Sequence, residues 1–270
     1  MHTRFTMLLL ALTIFISSCD MSATREEGDE FLKNGEYEAA VAAYDRVIKM
    51  EPDDAFSLYN RATAKEKLEL YDEAYEDYDK LVKLQQNSRL AMLGRSRCLF
   101  AQEKYDYVIL DMNTLLRADP DNFEALDLRG RSYTKIGKNN KAIDDLTRVI
   151  DKDPQNVQAL ISRGAAYARG SAGSWAIHDF DRALKIEPNL PVAHFNKGMV
   201  YFVYNNFTEA AETFDKAINL NSEYAEAYTR RGMARMKSKW YSLDQACSDF
   251  KKAEDLDDEL AAEYVKKYCK

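Results

Sequence analysis

The sequence predicts an all-α fold: a solenoid of short antiparallel helix pairs, closed by a C-terminal capping helix. Three observations predict it. Pro120, Pro154 and Pro188 are spaced by 34 residues, and Pro52 lies two such periods before Pro120. A frame that starts at residue 21 aligns small residues at its eighth position (Gly28, Ala62, Ser96, Gly130, Gly164, Gly198, Gly232) and Ala or Val at its twentieth (Ala40, Ala74, Val108, Ala142, Ala176, Ala210). Its twenty-fourth position is large: Tyr44, Tyr78, Met112, Leu146, Phe180, Phe214. A fixed period of this length marks a stack of helical hairpins, none able to bury its apolar face alone. With ten Gly and five Pro in 270 residues, the loops are short.

The elements follow in order. Residues 1–18 form a signal segment: Arg4 supplies the positive start, and Met7 to Ile16 form an apolar run too short to span a bilayer. The run ends in Ile16-Ser17-Ser18-Cys19, which resembles the bacterial lipobox. That resemblance implies cleavage before Cys19 and acylation of its thiol and new amine, leaving residues 19–20 as a lipid-anchored N-terminus. Several acyl chains, each buried CH₂ contributing about 0.8 kcal/mol, anchor stably where one chain does not. The alternative is an ordinary cleaved signal in which Cys19 is incidental.

Seven repeats then occupy 21–54, 55–88, 89–122, 123–156, 157–190, 191–224 and 225–256, the last with two extra residues. Small residues at positions 8 and 20 let two helices approach, and the large residue at 24 fills the wedge between them. Proline at 32 ends the second helix. Arg169 to Ser174 is richer in Gly than the other inter-helix turns, so a looser turn is expected there. Residues 257–270 carry a Leu260, Tyr264, Tyr268 stripe and read as the cap that a solenoid end requires.

The set of small-8, aromatic-11, Ala-20, large-24, small-27 and Pro-32, fullest in Gly164, Tyr167, Ala176, Phe180, Ala183 and Pro188, resembles the tetratricopeptide repeat family. The resemblance covers residues 21–256. It implies a right-handed superhelix whose concave face, built from positions 2, 5, 9, 12 and 13 of each first helix, binds a protein or peptide client. On this chain those positions give the candidate groove residues Phe56, Tyr59, Leu93, Phe100, Phe195, Met199, Phe202, Met233 and Met236. Aromatic and Met side chains suit an amphipathic helix or extended peptide. The alternative is that some of them pack against the neighbouring first helix. The basic and Asn residues with which some family members grip a C-terminal carboxylate are not assembled here.

Position 7 is basic where the family usually has Leu: Arg61, Arg95, Arg129, Arg163, Lys197 and Arg231. Position 23 is acidic in the same repeats: Asp77, Asp111, Asp145 and Asp179, with Asp249 in the shifted last unit. The columns vary together, since repeat 1 lacks both charges and repeat 6 weakens both to Lys197 and Thr213. This covariation predicts ion pairs within each repeat rather than an anion-binding track.

The net charge of −7 disfavours nucleic acid, whose phosphates need a basic surface. No nucleotide-binding, zinc-protease or serine-hydrolase motif occurs. No catalytic residue, cofactor or metal site is expected. Asp53-Asp54 and Asp257-Asp258 read as helix caps. Cys98 sits at a position held elsewhere by Ala, Ser or Val and reads as a packing residue. Cys247 and Cys269 are candidates for a disulfide that would staple the cap in an oxidising compartment; two free thiols are the alternative. The expected function is a membrane-anchored, extracytoplasmic adaptor or assembly scaffold. Its rivals are an accessory lipoprotein for a small ligand or glycan, and an enzyme of cell-wall processing.

Overall fold

The computed structural model describes residues 22–85 and 88–269. The signal segment and Cys19 lie outside the described residues. Among the described residues all regular structure is helical, and no helix is long and apolar enough to cross a membrane.

The chain divides into two compact units, residues 1–128 and 129–270. Unit 1 holds α1 (22–34), α2 (Tyr37–Met50), α3 (Ala55–Lys67), α4 (Tyr71–Leu84), α5 (Arg89–Ala101) and α6 (Tyr105–Ala118). The division falls inside α7 (Phe123–Lys135). Unit 2 continues with α8 (Asn139–Lys152), α9 (Val157–Arg169), α10 (Gly173–Ile186), α11 (Pro191–Val203), α12 (Phe207–Leu220), α13 (Ala225–Lys237), α14 (Leu243–Glu254) and α15 (Glu259–Tyr268). Within each unit, consecutive helices pack on one another from α2 to α6 and from α8 to α15, and first helices also touch, α3 with α5, α9 with α11 and α11 with α13.

Local chemistry sets the helix ends. Side-chain caps start several first helices: Asp54 accepts from the Ser57 N–H, Asn156 from Ala159 and Asp258 from Ala261, satisfying donors that a helix start leaves open. Pro191 occupies the first turn of α11. The turns inside the first six hairpins each contain one residue with positive φ, at the same place in the period: Gly35, Glu69, Glu103, Gly137, Ser171 and Asn205. This left-handed residue ends the first helix and aims the chain at the second. Glycine occupies only two of the six sites, so tertiary packing holds Glu, Ser and Asn in a conformation they seldom adopt.

The expectation of a looser turn after Arg169 is corrected here. Ser171 has φ +62°, like its counterparts. The Tyr204 hydroxyl donates to the Ser171 carbonyl at 2.9 Å and accepts from the Gly173 N–H at 3.1 Å. The glycine at 173 serves close approach: a Cβ there would lie 2.2 Å from the Tyr204 ring.

The core is a seam of small against large. Phe180 and Phe214 are fully buried, and a Cβ added to Gly164 or Gly198 would lie 2.8 or 2.7 Å from their rings. Cys247 and Cys269 form a disulfide with Cα atoms 5.4 Å apart. With the stack of Tyr264 on Phe250, centroids 4.7 Å apart, it holds α15 over the last hairpin.

Candidate functional site

Position 24 controls more than the core. In the first two hairpins of unit 1 it is Tyr, long enough to carry a hydroxyl through to the inner face of the first helices, and in the third it is Met112. The Tyr44 hydroxyl donates to Asp29 at 2.5 Å, and Asn60 donates to the same oxygen at 3.1 Å. The Tyr78 hydroxyl lies 3.1 Å from Thr63 Oγ1 and 3.1 Å from Glu66. Burial raises both phenols above their usual range, and Asp29 adds to this at Tyr44, so both stay protonated donors. Glu66 also receives Arg97 at 2.6 Å, and Arg97 reaches Glu124 at 2.8 Å. These groups form a hydrogen-bonded polar network on the inner face of unit 1, beside the half-exposed Phe56.

In unit 2 position 24 is Leu146, Phe180 and Phe214. No hydroxyl reaches the inner face, and a cavity of about 330 Å³ opens between α9 and α11. Ala165 and Ala168 form its shallow side, Phe195, Met199 and Val203 its apolar wall, Phe180 its floor, and Arg169, Asn196 and Tyr204 its polar rim. Small residues on one helix facing large ones on the next leave room for one bulky side chain. The cavity has an apolar wall and a polar rim, the shape and chemistry that ligand pockets share. It carries no set of groups arranged for bond making.

The other groove residues fall into two groups. Phe56 is half exposed, and Tyr59, Phe100, Phe202, Met233 and Met236 are partly buried. Three of these rest edge-on against a neighbouring ring: Tyr59 on Tyr78, Phe100 on Tyr105 and Phe202 on Phe207, with centroids 5.8, 5.2 and 5.4 Å apart. Leu93 and Phe195 lie deeper, only 4% and 7% exposed. Phe195 packs between Tyr224 and Phe214, with centroids 4.9 and 5.6 Å away. Only an edge of Phe195 reaches the cavity, and Leu93 reaches no open surface.

The basic column lies within the seam. Arg Nε to Asp Oδ2 distances are 2.9 Å for Arg61–Asp77, 2.9 Å for Arg95–Asp111, 2.8 Å for Arg129–Asp145 and 2.8 Å for Arg163–Asp179. The Arg61, Arg95 and Arg163 guanidiniums also reach back to position 25 of the preceding hairpin. Arg61 binds Asp45 at 2.5 Å, Arg95 binds Asp79 at 2.7 Å and Arg163 binds Thr147 at 3.0 Å. Where position 23 is Thr213, its hydroxyl turns to the Glu209 carbonyl at 2.6 Å, and Lys197 reaches Asp181 of the preceding hairpin at 2.5 Å. The column is therefore a clasp between hairpins as well as within them. The sequence reading missed this half, although the column Asp45, Asp79, Thr147, Asp181 and Asp215 was there to be read.

Cys98 is fully buried, and burial pushes its thiol up to about 12. Among the described residues no three His, Cys, Asp or Glu side chains converge as a metal site.

A tetratricopeptide repeat model matches residues 25–88, 59–123 and 128–191, and a second matches 192–224. The chain belongs to the tetratricopeptide repeat family. No curated protein matches this tetratricopeptide repeat chain in sequence. Among solved structures, a tetratricopeptide repeat protein from Parabacteroides merdae ATCC 43184 superposes with a TM-score of 0.72 at 20% identity, over 93% of this chain and 99% of that one. MamA does so with 0.53 at 26% identity, over 66% and 93%. YrrB, a repeat protein with an unusual peptide-binding site, does so with 0.55 at 23% identity, over 70% and 97%.

Proposed function

We propose that this chain is a lipid-anchored, extracytoplasmic adaptor that holds a protein client through the inner face of unit 2. The observation that carries the reading is the apolar cavity between α9 and α11, shaped for one bulky side chain and rimmed by Arg169, Asn196 and Tyr204. Membership of a family of interaction modules supports it, and a peptide-binding site is what YrrB is described as having. The Cys247–Cys269 bond supports an oxidising compartment, as the lipobox-like end at Cys19 supports a membrane tether. The mechanism is mass action: the anchor confines the repeats to a surface, and the cavity raises the local concentration of the client. The adaptor needs no reaction of its own.

The test places a photo-crosslinking amino acid at Val203, on the cavity wall, in living cells. A discrete adduct is expected, and Ala168→Trp, which fills the cavity, is expected to abolish it while far-UV circular dichroism stays native. An adduct indifferent to Ala168→Trp overturns the reading. A low-molecular-mass adduct in place of a protein one favours the accessory role for a small ligand, for which a cavity of this volume also suffices.

A further inference from the structure

The hairpin tips of unit 2 form one chemical surface. They comprise residues 135–141, 169–175, 203–209 and 237–245, and they touch in series. Gly137 to Lys141 share a cleft with Gly170. Tyr204 bonds Ser171 and Gly173, as described above. Thr208 Oγ1 lies 3.1 Å from Ser238 Oγ, and the Lys237 ammonium sits 5.5 Å above the Phe207 ring.

This edge inverts the sign of the protein. Its charges are Lys135, Lys138, Lys141, Arg169, Lys237 and Lys239, all exposed, against Glu209 and Asp244; the whole chain carries −7. The tips of unit 1 are the reverse, with Glu36, Glu38, Glu69, Asp72, Glu73 and Glu103 prominent. Repeat packing does not require the difference, because these residues lie outside the seam.

The last tip adds a second, independent feature. Its two extra residues form a built turn: the Trp240 N–H donates to Ser238 Oγ at 3.3 Å, and Ser242 and Gln245 cap α14 reciprocally. Tyr241 folds inward beneath the Arg235 guanidinium, 5.4 Å away. Trp240 is left 81% exposed, and Leu243 half exposed beside it. An indole with one N–H among lysines matches the water–lipid boundary: its apolar body favours the acyl side, and its N–H and the cations favour the headgroups.

We infer that the unit 2 edge lies against an anionic phospholipid bilayer, its cations over headgroup phosphates and Trp240 with Leu243 at the acyl boundary. The inference rests on the membrane tether proposed above for the source of that bilayer, and names the surface on which the tethered repeats rest. Anionic headgroups attract Lys and Arg within a Debye length.

The experiment uses the full-length lipoprotein with Trp175→Phe, which leaves Trp240 as the sole tryptophan. It is reconstituted into vesicles of phosphatidylcholine, with or without phosphatidylglycerol, whose acyl chains carry bromine. With phosphatidylglycerol, about half of the Trp240 emission is expected to be quenched, as for a ring at the headgroup–acyl boundary. High salt, or Lys237→Glu together with Lys239→Glu, is expected to restore it. Unquenched Trp240 on the anionic vesicles overturns the inference and points instead to an acidic protein partner. Quenching that is equal without phosphatidylglycerol and indifferent to charge reversal overturns the anionic assignment. The mass of the N-terminal peptide reports the tether separately: an unmodified Cys19 defeats the anchor, while the same chain added to preformed anionic vesicles still tests the edge.

Discussion

The first two hairpins of unit 1 and the two central hairpins of unit 2 are built on one period and differ at position 24 by an oxygen atom: Tyr44 and Tyr78 against Phe180 and Phe214, while Met112 and Leu146 hold the same position in the remaining hairpins. Both ring types fill the same wedge and are fully buried. The phenol oxygen, however, emerges on the inner face and must be paired, because an unpaired buried donor costs more than the bond contributes. Pairing requires Asp29, Asn60, Thr63 and Glu66 at groove positions, and Glu66 then requires Arg97. With Phe the requirement disappears, and the groove positions of unit 2 become Ala165, Ala168 and Met199. At these four positions a Tyr at 24 goes with a polar network above it, and Phe180 floors an apolar cavity.

The largest expected effect tests what the units share. Asp179→Ala in unit 2 leaves the part-buried Arg163 with only the neutral Thr147 and is expected to cost about 3 kcal/mol in chemical denaturation, whereas Asp77→Ala in unit 1 leaves Arg61 paired with Asp45 and is expected to cost less. Equal losses would show that the partner at position 25 contributes nothing. Replacing Arg163 and Asp179 together by apolar residues is expected to cost less than the sum of the single changes; additivity would show that the pair is uncoupled.

Gly198→Ala is next, at about 1–3 kcal/mol, because the new Cβ would lie 2.7 Å from the buried Phe214 ring. Ala62→Gly is the reverse experiment in unit 1 and is expected to cost about 1 kcal/mol through helix propensity. Thermal unfolding of both variants checks that position 8 is filled to its limit only where it is glycine.

The exchange at position 24 sharpens the comparison directly. Phe180→Tyr places a hydroxyl at the cavity floor with no Glu66 equivalent, at an expected cost of about 2 kcal/mol and with weaker client capture. Tyr78→Phe removes one partner of a network that retains Arg97, at about 1 kcal/mol. If the two changes had equal effects on stability, the hydroxyl would not be what separates the faces.

The smallest effect concerns Cys98. With the thiol pushed up to about 12 by burial, the thiolate is negligible at pH 8. Alkylation is expected to leave Cys98 unmodified in the native chain and to label it after unfolding. Rapid native labelling would mean that unit 1 opens locally more readily than its packing implies.

The hairpins were legible because their information is local. A small residue at 8, Ala at 20 and Pro at 32 each act within one repeat, so a period of 34 residues suffices to place two helices and a turn. The pairing of Arg61, Arg95, Arg129 and Arg163 with Asp77, Asp111, Asp145 and Asp179 was legible for the same reason. How deeply Leu93 and Phe195 sit was not legible, because the direction of a groove side chain depends on how far one hairpin rotates against the next. The second partner of the arginines, at position 25 of the preceding hairpin, was missed on the same ground. The turn after Arg169 was misread because Tyr204, a full repeat away, holds it.

The sequence by itself determined a helical array of hairpins with a 34-residue period, since helix formation and hairpin closure respond to residues a few positions apart, and its motif residues carried the resemblance to tetratricopeptide repeats and to a lipoprotein signal. Only the packed structure decided which ring edges stay accessible, where the cavity opens, and that Tyr44 and Tyr78 reach the inner face. Those outcomes depend on distances between hairpins, which arise from the volumes of several side chains meeting in one seam.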